Sequence, residues 1–427
     1  MSFYTNCQRY LYTLAYYLAI PGLLLRLWWR SVRYNREYRA RWQQRFGFIP
    51  RLEAAKVIWV HAVSMGETLA AVPLIKALLA RYPDYRIVLT STTPTGAAQA
   101  AKHFGEQVMA IYTPYDLPSC VNRFLNRVHP TLGIILETEL WPNLLAACSR
   151  HKLTLMLANA RLSEHSCRGY RRIPALVREM INSFAVIAAQ AQSDGQRFLS
   201  LGLEPHRLRM TGNIKFDIQL APDLTMRGQA LRAEWGMARP VWVAASTHEG
   251  EETLLLTALQ TVRRQFPDLL FILIPRHPER FAKVGQECIQ AGYRVVFRSQ
   301  GEPVTAETEI LLGDTMGEVM LFYAAADLAF VGGSFVAVGG HNLIEPAILG
   351  VAVLTGPHLH NFVDISQLLL HAGGARVVAD ADSLSAAVND LLRNPDARTQ
   401  MGQLGRQAVM ANTGALSKHL DWIAAHL

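Results

Sequence analysis

The chain has 427 residues, half of them apolar, with 42 Lys and Arg against 34 Asp and Glu and a formal net charge of +8. That length suggests two domains, and so large an apolar fraction excludes a disordered chain. The first 51 residues hold nine Arg and one acid, Glu37, which is the whole excess charge; the rest is balanced at 33 basic and 33 acidic side chains. A neutral body without a nucleic-acid fold motif argues against nucleic acid as a partner. The five Cys form no C-x-x-C pair, so they read as reduced packing cysteines rather than a disulfide framework.

The front end comes first in chain order. Tyr10 to Trp29 reads YLYTLAYYLAIPGLLLRLWW, interrupted by Pro21 and Arg26, and is roughly as long as one bilayer-spanning helix. The run RSVRYNREYRARWQQR follows at once. Such a run is drawn to anionic headgroups by about 1 kcal/mol per side chain and biases the following domain to stay cytoplasmic. A cleaved signal peptide fits poorly, because the basic block follows the apolar stretch instead of leading it. Three readings stay open: a single span, a helix lying in the interface, and a buried N-terminal helix of a soluble body. Residues 1–35 are expected to be a membrane anchor with its basic juxtamembrane segment.

The body alternates short β-branched runs with amphipathic helical stretches. Strands are predicted at 56–62, 86–90, 108–112, 132–136, 153–158 and 185–189, then at 241–245, 269–274, 294–297, 309–311, 328–331 and 351–354. Apolar runs without clean alternation suit strands covered on both faces, and alternating βα units suit parallel, doubly wound sheets. The fold class is therefore α/β: two Rossmann-like domains facing across a cleft, spanning 36–212 and 226–413, joined by a linker at 213–225. A final helix over 414–427 is expected to pack back on the first domain.

In such sheets ligands bind at the carboxyl ends of the strands, so the strand-end loops carry the functional candidates. After the first strand of the body comes HAVSMGE, with Glu67 opening a helix. It can take a proton as a general base or simply complement the helix dipole. ETELWPN follows the fourth strand; Glu137 and Glu139 there are capping or functional acids. Lys215, in GNIKFD, is either an anion contact or a solvated hinge residue. The second half adds Ser246, Thr247 and His248 in STHEGEE, Arg276 in PRHP, and Met316 in GDTMGE. It also holds a Gly-rich loop, GGSF followed by GGHNLIEP, with Gly339, Gly340, Asn342 and Glu345. A Gly-rich loop opening a helix cradles phosphate with backbone N–H groups. This one is neither a P-loop nor a dinucleotide fingerprint. Asp380-Ala381-Asp382 has the form of a metal site but precedes a helical pattern, where Asp is a common cap; no other ligand cluster is visible, so no metal and no cofactor are expected.

HAVSMGE, ETELWPN, GNIKFD, STHEGEE, PRHPER, GDTMGE and GGSF…GGHNLIEPA, in that order from about Val57 to Leu354, resemble the 3-deoxy-D-manno-octulosonic acid (Kdo) transferases of Gram-negative bacteria. The apolar, Arg-rich front end is similar too. The resemblance implies a GT-B fold with an acceptor-binding first domain and a donor-binding second one. It implies inverting, metal-independent transfer of Kdo from CMP-Kdo to a tetraacylated lipid A precursor, on the cytoplasmic face of the inner membrane. It makes Glu67 the base, and places Arg276, Met316, Asn342 and Glu345 on the CMP part of the donor and the 332–340 glycines, Gly339 and Gly340 among them, on its phosphate. Ser246, Thr247, His248 and Lys215 become further candidates for the donor phosphate and sugar carboxylate, and Glu137 an acceptor-side acid. Two alternatives are an envelope GT-B transferase using a UDP-sugar and a non-catalytic, membrane-peripheral nucleotide-binding protein.

Overall fold

The computed structural model describes residues 3–33, 41–53, 56–218 and 220–427. Part of the Arg-rich run, with Arg36 and Arg39, and the expected 35/36 boundary lie outside the described residues, as does Gln219 of the expected linker.

The chain divides into two units. The first runs to Asp217 and takes in Thr413–Leu427; the second is Ile218–Asn412. The first is built on β1 (Val57–His61), β2 (Arg86–Ser91), β3 (Val108–Tyr112), β4 (Leu132–Leu136), β5 (Thr154–Ala160), β6 (Val186–Ala189) and β7 (Leu208–Met210). They form one sheet in the order β3-β2-β1-β4-β5-β6-β7, parallel throughout. The second unit holds β8 (Val241–Thr247), β9 (Leu270–Pro275), β10 (Val295–Phe297), β11 (Ile310–Leu312), β12 (Leu328–Val331), β13 (Ala352–Thr355) and β14 (Ala375–Val377). Its sheet is also parallel, in the order β10-β11-β9-β8-β12-β13-β14. The order turns back beside β1 in the first sheet and beside β8 in the second, where β10 also lies outside β11, and the crevice at such a central switch point is where ligands bind.

The strands are apolar on both faces because helices cover both. Along β1, Val57 and Trp59 face a core with Phe124, Leu144 and Val177, while Ile58 and Val60 face another with Leu74, Ile75 and Leu416. In the second unit Trp242 and Ala244 pack with Leu255, Leu259 and Phe330, and Val243 and Ala245 with Ile272, Phe322 and Tyr323. Each large apolar side chain so buried contributes about 1.5–3 kcal/mol. Helices start at chemical signals: Pro94, Pro118, Pro142, Pro174 and Pro395 sit in first turns, where the missing N–H costs nothing.

The 213–225 stretch is not a free linker. Asn159 Oδ1 accepts the Ile214 N–H at 3.0 Å, pinning the Ile214–Phe216 turn to the first unit. The Asp217 carboxylate accepts the N–H groups of Gly414 and Leu416, which fixes the start of the helix Ala415–Ala424 in the same unit. At the other end of the stretch, the helix Leu224–Trp235 already belongs to the second unit.

The N-terminal helix spans Phe3–Arg33 and runs through Pro21. Its first turns are docked on the first unit. Arg9 pairs with Glu179 at 3.0 Å and Thr13 Oγ1 lies 3.1 Å from Asn143 Oδ1. The buried Asp116 accepts the N–H groups of Asn143 and Leu144 and the Tyr12 hydroxyl. Farther on, Leu14, Leu18, Leu25 and Trp28 are exposed. The stretch Asn6–Arg33 is long and apolar enough to cross a membrane, and its apolar window is not buried. A buried core helix is therefore not what the segment forms.

Candidate active site

In the first unit, β1 ends at His61 and the chain turns into the helix Met65–Arg81. Ser64 caps that helix, its Oγ accepting the Glu67 N–H at 3.1 Å. The Glu67 carboxylate folds back: Oε1 accepts the Ser64 hydroxyl and Oε2 the Val63 N–H, both at 2.8 Å. Its residue is only 8% exposed. Burial, with the negative charge of Glu139 next, pushes its pKa up to about 7 against the lowering pull of the two hydrogen bonds. A carboxyl held near neutrality is matched to proton transfer. The contacts at the helix start fix the position of the carboxylate, and its burial raises its basicity.

The neighbouring strand β4 delivers Glu137 with φ of +57°, a left-handed conformation that is uncommon for a non-glycine residue. Glu137 lies 3.6 Å from Lys215 Nζ. Lys215 thus stands in the first unit as the partner of an acid. Glu139 accepts the Trp141 indole N–H at 2.6 Å, and burial followed by the charge of Glu137 raises its pKa. Behind it, the Trp141 ring meets His61 edge-on at 5.2 Å, and His61 Nδ1 is 2.8 Å from Thr90 Oγ1. Burial drops His61 to about 3, so it is a neutral prop for the indole.

In the second unit, Ser246 lies one residue before the end of β8 with φ +61°. The Thr247 hydroxyl turns inward and donates to Glu252 at 2.8 Å, and Arg280 clamps the same carboxylate with two bonds of 2.7 and 3.0 Å. Thr247 is fully buried and supports the loop from behind. His248 stacks on His341 with rings 5.1 Å apart and Nε2 atoms at 2.8 Å. Burial pushes His341 down to about 4 and His248 below its usual value, so one neutral ring donates to the other. Gly333, at φ +68°, lies beneath them; a Cβ there would meet His341 Cδ2 at 2.8 Å.

The Gly-rich loop departs from its expected use. The buried Glu251 carboxylate accepts the N–H groups of Gly333, Ser334 and Phe335 at 2.7, 3.0 and 2.8 Å, and that of His248 at 2.9 Å. The Gly339 and Gly340 N–H groups both go to Gly333 O. The cradle is thus an internal anion site filled by this protein's own acid. Nothing in the sequence singled out Glu251 or Glu252 beyond their place opening a helix after His248-Glu249-Gly250.

The remaining candidates gather at the same strand ends. Arg276 is exposed; its N–H donates to Thr247 O at 3.0 Å, and its guanidinium makes no ion pair among the described residues. Burial raises the pKa of Glu345, against the smaller lowering pulls of the Asn342 amide, at 3.2 Å, and of the Arg276 charge. Asn342 Oδ1 also accepts the Ile344 N–H at 3.1 Å, setting that turn. Met316 is 60% exposed on a loop braced by the paired Arg298–Glu318 bonds and by Asp314 on Ser299. Asp380 caps its helix in a reciprocal bond pair with Ser383.

A family model for 3-deoxy-D-manno-octulosonic-acid transferase (kdotransferase) matches residues 40–218. The 3-deoxy-D-manno-octulosonic acid transferase of Haemophilus influenzae is 39% identical over 422 residues, covering 98% of this chain and 99% of that one. The chain belongs to the Kdo transferase family. The Bordetella pertussis transferase is 38% identical over 427 residues, with 97% and 98% covered. The protein is a glycosyltransferase of lipopolysaccharide synthesis. A UDP-GlcNAc 2-epimerase from Neisseria meningitidis, 14% identical with a TM-score of 0.56 over 87% of this chain and all of that one, shares the fold alone. That fold is GT-B. For a Kdo transferase, the first unit's acid cluster and the second unit's Arg276–Asn342–Glu345 group are the two halves that need roles.

Proposed function

We propose that the enzyme inverts the anomeric centre in one displacement, moving Kdo from CMP-Kdo to a hydroxyl of a tetraacylated lipid A precursor. Glu67 carries the reading: a buried carboxyl poised near pH 7 at the switch point of the first sheet. Glu67 takes the proton of the acceptor hydroxyl. The oxygen attacks the anomeric carbon, and the bond to the phosphate breaks with its electron pair leaving on CMP. Glu137 and Glu139 keep Glu67 basic, and Lys215 balances Glu137. The second unit holds the donor: Arg276, Asn342, Glu345 and Met316 take the CMP part, while Ser246 and His248 edge the phosphate and sugar carboxylate. Gly339 and Gly340 shape that loop and Glu251 holds its backbone, so the phosphate charge falls to Arg276 and to side chains rather than to the 333–335 N–H groups. The N-terminal helix keeps the enzyme at the cytoplasmic face of the inner membrane, where an amphiphilic acceptor resides.

Calorimetry tests the donor half. Arg276→Ala is expected to weaken CMP binding by roughly 10- to 150-fold, the loss of a charge-assisted hydrogen bond of about 1.5–3 kcal/mol, and Glu345→Ala to weaken it as well. UMP and UDP should compete poorly. CMP affinity unchanged in both variants would move the donor elsewhere.

A single phosphate can be met without a divalent ion. No group of three His, Cys, Asp or Glu side chains suited to a metal occurs among the described residues, and Asp380 is engaged as a cap. Transfer is therefore expected to persist in excess chelator. Loss of activity there, restored by magnesium or manganese, would contradict this.

A further inference from the structure

Three imidazoles gather at the carboxyl ends of β9, β8 and β12, which are neighbours in the second sheet. His248 follows β8 directly, His277 stands two residues beyond β9, and His341 comes from the Gly-rich loop after β12. The His248 and His341 ring planes differ by only 7°, and their Nε2 atoms are 2.8 Å apart. One Nε2–H therefore donates to the other ring's Nε2 lone pair. His277 meets His248 edge-on at 5.3 Å and stays outside that bond. Neither Nδ1 of the pair has a hydrogen-bond partner among the described residues, and neither is sealed from solvent. The backbone holds the two rings together. Glu251 accepts the N–H groups of both His248 and Gly333, and the Gly340 N–H, next to His341, goes to Gly333 O at 2.7 Å. A Cβ on Gly333 would lie 2.8 and 3.0 Å from His341 Cδ2 and Nε2, so the pair needs a glycine beneath it.

The groups around the pair keep it neutral. Burial is the main cause in both rings. At His248 the Glu251 charge opposes it, while His277, Arg280 and Arg276 add to it; at His341 the additions come from His248, Arg276 and His277. An anion beside the pair offsets those cations and favours a charged imidazole. A proton added at a free Nδ1 leaves an imidazolium donating to an imidazole, a charge-assisted bond roughly twice as strong as a neutral one. It also changes what the pair presents. The neutral pair offers one Nδ1–H and one Nδ1 lone pair, whereas the protonated pair offers two N–H donors. We infer that His248 and His341 act as one proton-accepting unit of the donor site, taking a single proton from solvent as the donor's phosphate arrives and returning it when CMP leaves. The inference rests on the donor-site reading above and gives His341 a positioning role through His248. The proton count closes, since one proton enters on binding and one leaves on release, with no other bond made or broken.

The test is calorimetry of CMP binding to the full-length protein in detergent, in two buffers of different ionisation enthalpy, at pH 7 and pH 8. The difference in heat between buffers counts the protons taken up. Binding that raises a group's pKa takes up protons, so it weakens as pH rises, by up to about tenfold per pH unit for one whole proton. The unaltered enzyme should show uptake at pH 7 and weaker CMP binding at pH 8. His341→Gln leaves His248 an amide to bond with but removes one titrating ring. It should cut the uptake at least about twofold and flatten the pH dependence, which a merely structural role would not do. His277→Gln should keep most of the uptake, because His277 lies outside the shared bond. Cytidine, which lacks the phosphate, should bind without uptake. The melting temperature of each variant reports its fold, and His248→Gln carries the same test if His341→Gln does not fold. Equal uptake in the unaltered enzyme and His341→Gln would overturn the inference and assign the proton to the CMP phosphate. So would CMP affinity independent of pH, equal uptake with cytidine, or a loss in His277→Gln as large as that in His341→Gln. If the unaltered enzyme binds no CMP at all, the donor-site reading itself fails and takes this inference with it, an outcome distinct from the others.

Discussion

Glu67→Gln is expected to lower turnover by at least about a hundredfold, the low end for loss of a general base, with CMP affinity unchanged because the residues proposed to hold the donor lie in the other unit. The pH profile adds a second readout. A base works ionised, and burial with the Glu139 charge puts the Glu67 pKa at about 7. The kcat/KM of the unaltered enzyme should therefore fall as pH drops through about 7, and the variant's residual activity should lack that limb. Glu139→Gln removes one of the charges that raise the pKa, so it should move the midpoint to lower pH. Near-normal turnover in a folded Glu67→Gln protein would leave Glu67 as a helix cap alone.

The second large effect is on stability. Glu251 satisfies four backbone N–H groups around the Gly333 loop. Cutting it back to Ala leaves buried donors unmet at about 1–3 kcal/mol each. Glu251→Ala is expected to cost roughly 3 kcal/mol or more, lowering the melting temperature of the second unit by about 6–12 °C. Glu251→Gln should fall between, because its amide keeps one acceptor oxygen. CMP binding should weaken with the loop. An unchanged melting temperature with tighter CMP binding would show that the cradle is a phosphate site after all, which the acid merely occupied.

Both results bear on what the sequence could tell. Strands buried on both faces announce themselves as unbroken apolar runs, and 108–112, 132–136 and 328–331 were legible to the residue. β7 and β14 were not. Each is three residues long with Arg209 or Arg376 at its centre, on a sheet edge where one side needs no cover. The loop proposed as catalytic stood out because a strand end, a glycine and an acid fall together at Glu67. The Gly-rich loop was misleading for a definite reason: a sequence shows where N–H groups will gather but not what accepts them. Here the acceptor is Glu251, 82 residues before Gly333. Lys215 likewise read as either an anion contact or a hinge residue, and its pairing with Glu137 comes only from the fold, where Asn159 holds the Ile214 turn in the first unit.

The most direct test is to incubate the purified full-length protein with CMP-Kdo and the tetraacylated lipid A precursor and weigh the products by mass spectrometry. The predicted result is acceptor carrying added Kdo, with one CMP released per Kdo transferred. Unchanged acceptor, or sugar added only when a UDP-sugar replaces CMP-Kdo, would contradict it.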